Sequence, residues 1–365
     1  MRLERRLEVP VTLRLLVPVL AIVAGIAVGG AVVALGGGDA LATFGTMFGA
    51  AFGSWQGWQG TLAQATPLIL TGLAVALPAR MGLWNIGGEG QLTIGAIAAT
   101  AIGLFAPLPG VLLPLAMVAG AMLAAAGWAL IAALPRAWFG LNEIIVTLFL
   151  NYIAIQLMQY FVNGPWGDKT AIGFAYSQAL PASASLPVLS GQLTIGILMA
   201  LAAAALMGWG ISRTPVGLSV RLISAGPRVA AYLNLNVKAL MTGGFCLGGA
   251  VAGLAGAIEL MGVTGRLEPG ISSNYGYTGI LVAFMAGSSV AGVVIGAIVY
   301  GALIMGGLAL QGNGVSFDIS TVVQALIVLF LLAGHSAQRY RLVLRERPAA
   351  PLQTVLLPAE PRNGV

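Results

Sequence analysis

Along this chain apolar residues come in long unbroken runs, and polar residues gather in the short stretches between them. A continuous run of about 20 apolar residues is the length that crosses about 30 Å of hydrocarbon as a helix, and a helix satisfies its own backbone hydrogen bonds there. The runs show no period-two alternation, so the spanning element is a helix and not the strand of a barrel. Ten runs are read as spans: 15–35, 62–79, 86–106, 111–134, 143–162, 192–211, 238–258, 276–289, 290–310 and 319–335. The expected fold is all-α, a polytopic helical membrane protein of about ten transmembrane helices. A cytoplasmic segment 1–14 precedes the transmembrane domain 15–335, and a cytoplasmic tail 336–365 follows it.

Composition agrees and charge orients the chain. Of 365 residues 58% are hydrophobic and 8% charged, against about 25% charged in an ordinary soluble domain. With the N-terminus inside, fifteen of the seventeen Lys and Arg fall on inner segments, and only Lys169 and Arg266 fall outside. Cytoplasmic loops favour Lys and Arg, so both termini are expected in the cytoplasm. The net charge of +6 is spread over inner loops, where anionic lipid favours it. A lipid bilayer is therefore the expected partner, and nucleic acid is not. The first run follows Arg-rich sequence like a signal peptide, but it lacks an A-x-A cleavage site and is read as a retained helix.

The inventory of reactive groups is small. One Cys (Cys246), inside a span, excludes an intrachain disulfide, and one His (His335) leaves no His-based triad or metal cluster. No cofactor and no metal site are expected, and an embedded enzyme is excluded. Glu89, Glu143 and Glu259 all fall near span ends, which argues against an ion-coupled carrier with mid-bilayer charges. The polar connections, 36–61, 163–191, 212–237 and 259–275, are each too short for an independent core. A ligand-capturing or catalytic domain is thus expected on another chain.

Much of the glycine, 52 residues in all, lies inside spans, as at Gly243, Gly244, Gly248, Gly249, Gly253 and Gly256. Small residues three and four apart let helices approach closely in lipid, so Gly249-x-x-x-Gly253 reads as packing and not as a nucleotide loop. Thr71-Gly72-Leu73-Ala74-Val75-Ala76 echoes Thr278-Gly279-Ile280-Leu281-Val282-Ala283, compatible with a parallel duplication or with chance in Gly- and Ala-rich sequence.

Three stretches carry candidate chemistry. In Gly82-Leu83-Trp84-Asn85-Ile86-Gly87-Gly88-Glu89-Gly90-Gln91 the glycines disfavour regular helix, and a broken entry into the membrane is expected. If a helical turn forms, Asn85 and Glu89 share a face. They either line a translocation path with Gln91, or serve as a helix cap and a first-turn carboxylate. In Gly140-Leu141-Asn142-Glu143-Ile144-Ile145-Val146-Thr147, Asn142 suits an N-cap and Glu143 the first turn. Further on, Thr147 and Asn151 could face a pore or bond a neighbouring helix. Tyr275 and Tyr277 are either path-lining or interface anchors. The inner loop 213–236 reads as a short amphipathic helix, a Pro turn and a second short helix. Val216, Val220 and Ile223 lie at helical spacing beside Arg221, as for docking on a cytoplasmic partner.

Trp84-Asn85-Ile86-Gly87-Gly88-Glu89-Gly90-Gln91, Gly140-Leu141-Asn142-Glu143-Ile144-Ile145-Val146-Thr147 with Leu150-Asn151-Tyr152-Ile153-Ala154, and Thr214-Pro215-Val216-Gly217-Leu218 with Arg221 resemble a known group. It is that of the permease subunits of ABC importers for branched-chain amino acids and simple sugars, nearest to the nucleoside permeases. The likeness runs over most of residues 60–335. It implies a multi-pass subunit of the bacterial plasma (inner) membrane that forms the path. Its partners would be a second permease, expected to be a different chain, two ATP-binding subunits and an extracytoplasmic binding protein or lipoprotein. It also implies that the inner loop seats on the ATPase through Thr214, Pro215, Gly217, Leu218, Arg221, Pro227, Arg228, Ala230 and Ala231. This chain departs from the family pattern near Ser224, Gly226 and Asn234, where the family usually has Gly, Asn and Gly. Asn tolerates the left-handed conformation that Gly supplies. The chain also lacks the Asn and Pro often found within 286–292.

The chain does not fuel itself. A P-loop requires Gly-Lys-Ser/Thr, but Asp168 precedes Lys169 and Val237 precedes Lys238. The expected function is the permease of an ATP-driven importer for nucleosides or related ribose-bearing or purine solutes. Simple sugars or branched-chain amino acids are the alternative cargo, and an ion-coupled carrier the alternative mechanism.

Overall fold

A computed structural model of the chain describes residues 2–5, 10–171, 173–287, 289–312 and 317–343. In order these form β1 (Arg2–Arg5), α1 (Val11–Leu35), α2 (Ala40–Phe52), α3 (Trp55–Ala79), α4 (Gly88–Phe105), α5 (Leu112–Phe139) and α6 (Glu143–Asn163). A short outer hairpin, β2 (Val188–Ser190) and β3 (Leu193–Thr194), leads to α7 (Gly196–Arg213). Then come α8 (Pro215–Ala225), α9 (Pro227–Tyr232), α10 (Val237–Glu259) with a π-helical turn Leu260–Thr264, α11 (Tyr275–Met285), α12 (Val290–Gly312), α13 (Phe317–Arg339) and β4 (Tyr340–Val343). Most of the tail expected at 336–365 lies outside the described residues, as does part of the segment 1–14.

Among the described residues seven helices are long and apolar enough to cross a membrane: α3, α5, α6, α7, α10 with its π turn, α12 and α13. The protein is a multi-pass helical membrane protein. Three further expected spans fall on α1, on α4 and on the short α11. The connection 36–61 is not simply polar loop. Asp39 accepts hydrogen bonds from the amides of Leu41 and Ala42 (2.9 and 3.1 Å) and starts α2, and α3 begins at Trp55, not near 62. Helix α2 is too short to span, but it buries Met47 and Ala51, and Gly306 of α12 admits the Met47 backbone.

Helices α3 and α10 are the centre of the bundle, with 78% and 72% of their apolar windows buried, against 28% for α5, α6 and α7. Small residues make that centre. A Cβ on Gly253 would stand 2.5 Å from the Ala121 carbonyl and the Ala125 side chain of α5, and one on Gly249 would stand 2.6 Å from Ala129. Gly249-x-x-x-Gly253 is therefore a packing seam. The echoed segments touch each other, since Gly279 of α11 packs on Thr71 of α3.

The two ends of the described chain meet. β1 and β4 pair antiparallel, Arg2 opposite Val343 and Arg5 opposite Tyr340, and α1 packs along α13. Both ends therefore lie on one side of the protein.

Candidate functional site

The stretch 80–91 is broken backbone, as its glycines require. Helix α3 closes at Ala79, Gly82 turns the chain with φ 73°, and residues 83–86 run without helix until α4 starts at Gly88. Asn85 is locked in this irregular piece. Its Oδ1 accepts from the Gly87 amide (3.1 Å) and from Gln91 Nε2 (3.0 Å), while its Nδ2 donates to Gln91 Oε1 (2.9 Å) and to the Ala74 carbonyl of α3 (3.2 Å). Asn85 and Glu89 do not share a helical face, because Asn85 precedes the helix; its side-chain partner is Gln91.

Glu89 turns instead to another helix end. Its Oε2 accepts from the amide of Gly276 in the first turn of α11 (2.9 Å), so a carboxylate sits at the positive end of α11. Gly276 is there for want of room, since its Cα lies against the backbone of Gly88 and Glu89. Tyr275 Oη donates to Gln64 Oε1 near the middle of α3 (2.6 Å). Trp84 and Phe284 pack at a tilt at the other end of α11, ring centroids 4.9 Å apart. Helix α11 is thus a half-helix starting near mid-height of α3. Its N-terminus meets that of α4, an arrangement of discontinuous helices.

Asn151 of α6 fastens this crossing. Its Oδ1 accepts from the Gly90 amide (2.8 Å), and its Nδ2 donates to the Ile86 carbonyl (2.9 Å) and toward Tyr277 Oη (3.4 Å). Thr147 donates back to the Glu143 carbonyl of its own helix (2.7 Å). Asn85, Glu89, Gln91, Thr147 and Asn151 are all buried. Tyr275 and Tyr277 face opposite sides of α11, Tyr275 toward α3 and Tyr277, half-buried, toward α6. The structure therefore brings Asn85, Glu89, Gln91, Asn151 and Tyr277 into one network that braces the crossing, and sets Tyr275 apart.

At the inner end, Asn142 caps α6 by accepting from the Ile144 amide (2.9 Å). Glu143 Oε1 accepts from the Trp84 amide (3.1 Å), and its Oε2 stands 3.1 Å from Arg136 Nε of α5. Burial first, and then the neighbouring Arg221, hold the Arg80 guanidinium below the ordinary arginine range.

The inner loop folds as two short helices around Gly226-Pro227. Thr214 caps α8, its Oγ1 accepting from the Gly217 amide (3.4 Å). Gly217 lies under the Ile211 carbonyl, where no Cβ fits. Arg221 Nε donates to the Gly217 carbonyl (3.3 Å). The expected docking face needs correction: Val220 and Ile223 are buried in a cluster with Met81, Leu83 and Phe245, and so is Ala230. The face left outward is Val216 and Leu218 of α8 with Arg221, then Val229 and Ala231 of α9, Tyr232 at 90% exposure, and Leu233. Pro227 and Arg228 fall in the first turn of α9. Asn234 has φ 56°, the left-handed conformation expected of it.

Sequence reasoning missed the turn before α11. Ser272, Ser273 and Asn274 fall within the outer connection 259–275, yet Ser272 stands beside Glu89 and the three lead directly into the first turn of α11. A Pro-Gly pair at 269–270 followed by Ser-Ser-Asn was the available signal for a structured turn.

The family described as branched-chain amino acid transport system / permease component matches residues 57–332. The chain belongs to this ABC permease family. It is 34% identical to the glucose ABC transporter permease protein TsgB13 of Haloferax volcanii, over 93% of each chain. It is 33% identical to the guanosine ABC transporter permease protein NupP of Bacillus subtilis, over 88% of this chain and 94% of that one. To the nucleoside ABC transporter permease protein NupB of Lactococcus lactis it is 27% identical, over 88% and 91%. An ABC permease is a transport component.

Proposed function

We propose that this chain is the path-forming permease of an ATP-driven nucleoside importer in a bacterial plasma membrane. It crosses ten times with both termini cytoplasmic, a topology supported by the pairing of β1 with β4 and by the fifteen-to-two distribution of Lys and Arg. It works with a second, different permease chain, two ATP-binding subunits and an extracytoplasmic binding protein.

The observation that carries the coupling role is the outward face of α8 and α9. Val216, Leu218, Val229 and Tyr232 are exposed there beside Arg221, and short helices offering apolar anchors are suited to a groove on a partner. Closure of the ATPase pair would push on this loop. Because Val220, Ile223 and Ala230 root it in the bundle next to Leu83, the push would reach the crossing at Asn85 and Glu89.

For cargo, Glu89 already occupies the positive end of α11, so that end attracts no further anion and the site suits an uncharged polar solute. Guanosine and nucleoside permeases among the relatives favour nucleosides. The glucose permease relative favours a hexose as the second reading. Uptake of radiolabelled guanosine by cells expressing the complete importer, with uridine, glucose and leucine as competitors, decides between them. Competition by glucose but not by uridine would overturn the nucleoside reading, and competition by leucine alone would overturn both.

A further inference from the structure

The turn ahead of α11 brings polar side chains to mid-height of the bundle. Its level is set by Tyr275, bonded to Gln64 near the middle of α3, and by Gly276, bonded to Glu89 of α4. Immediately before them Ser273 and Asn274 hold left-handed backbone, φ 42° and 63°, and both are exposed. Non-glycine residues in this conformation are strained, and such strain concentrates where a protein binds or switches. Irregular polar backbone at membrane depth persists only where protein or water covers it, so lipid is not what Ser273 and Asn274 face. Two neighbours add polar atoms. Ser272 Oγ is buried and faces the Glu89 carboxylate, and Tyr277 Oη is half-buried toward Asn151.

We propose that Ser273 and Asn274, with Ser272 at their base, form a contact point for cargo inside the path, taking hydroxyl and N–H groups of an uncharged solute such as a nucleoside or hexose. Asn274 offers an acceptor and two donors, and Ser273 a hydroxyl. The Glu89 carboxylate beside Ser272 disfavours carboxylate- or phosphate-bearing solutes. The proposal rests on the reading of the chain as an import path for uncharged polar cargo.

The test uses the complete importer, with its second permease, ATPase subunits and binding protein, reconstituted in liposomes. Asn274→Gly keeps the left-handed backbone, which glycine adopts freely, and removes only the side chain. It is expected to raise the KM for guanosine about fivefold, the size of one net hydrogen bond. In a Cys246→Ser background, Asn274→Cys is expected to react with a charged, membrane-impermeant thiol reagent, and saturating guanosine is expected to block that reaction. An unchanged KM in Asn274→Gly, labelling without protection, or reaction only with a lipid-soluble maleimide would each overturn the contact point. If Asn274→Gly does not insert, the labelling alone decides. If the importer carries and is protected by glucose and not guanosine, the nucleoside reading falls and the contact point stands. Robust guanosine uptake with no protection overturns the contact point and leaves the import reading intact.

Discussion

Glu89 of α4 and Gly276 of α11, 187 positions apart in sequence, are joined by a 2.9 Å hydrogen bond at the meeting of two helix N-termini. Both helices start inside the bundle, so their first amides lack water, and one carboxylate serves the end of α11 while its own chain begins α4. A hydrogen bond to a charged group is worth about 1.5–3 kcal/mol. Glu89→Gln retains an acceptor and is expected to leave the protein folded, with a lower melting temperature in detergent. Glu89→Ala is expected to lower it further and to abolish uptake. Gly276→Ala has no space for its methyl against the Glu89 backbone and is expected not to accumulate in the membrane fraction. A melting temperature for Glu89→Ala equal to the parent's would refute the bracing role.

Asn151 answers two backbone groups of the broken stretch, the Gly90 amide and the Ile86 carbonyl. Removing its side chain strands both in a buried place, at about 1–3 kcal/mol for each orphaned group. Asn151→Asp restores the acceptor for Gly90 but not the donor for Ile86. The expected order of thermal stability is therefore parent, then Asn151→Asp, then Asn151→Leu, with uptake falling in the same order. Fluorescence-detected melting of the purified subunit would check it, and equal melting of all three would sink it.

Much of this was legible in one sequence. The apolar runs located the long helices, and the glycines between Gly82 and Gly90 announced broken backbone before any partner was known. Asn142 was readable as a cap because the cap bond is local. What could not be read were pairings across sequence distance. Helical spacing alone put Asn85 with Glu89, whereas the non-helical backbone gave Asn85 to Gln91 and Glu89 to Gly276. The same spacing put Val216, Val220 and Ile223 on a docking face. Periodicity shows that residues share a side, but not whether that side turns inward, and here Phe245 of α10 claims Val220 and Ile223. The α11 turn was hidden because its polar residues resemble an ordinary outer loop until Tyr275 and Gly276 find their partners.

Glu143 makes two contacts of unequal weight. The contact with Arg136 is a third exposed on the arginine side, and such pairs contribute about 0–1 kcal/mol. The bond from the Trp84 amide fixes the non-helical stretch to α6. Arg136→Ala is accordingly expected to be nearly silent in thermal stability, and Glu143→Ala to be clearly destabilising. In Glu143→Ala the 82–87 stretch should also become more accessible to proteolysis. Equal losses in the two variants would assign the stability to the ion pair instead.

Burial separates the outward residues of the proposed coupling loop from those that root it in the bundle. Leu218 and Arg221 are exposed on α8, whereas Ile223, five residues beyond Leu218, is fully buried. Replacing Leu218 and Arg221 together by Ala removes outward groups only, so the protein should insert and melt as the parent does. Uptake should nevertheless fall while the ATPase subunits continue to turn over ATP, since the push no longer reaches the bundle. Ile223→Ala opens a cavity in the root, at about 2–5 kcal/mol, and should lower the melting temperature whether or not the ATPase is present. The two variants thus predict opposite patterns, lost coupling at constant stability against lost stability at every stage. Full uptake in the Leu218 and Arg221 double variant would move the docking surface elsewhere, with Tyr232 and Leu233 of the second short helix the next residues to replace.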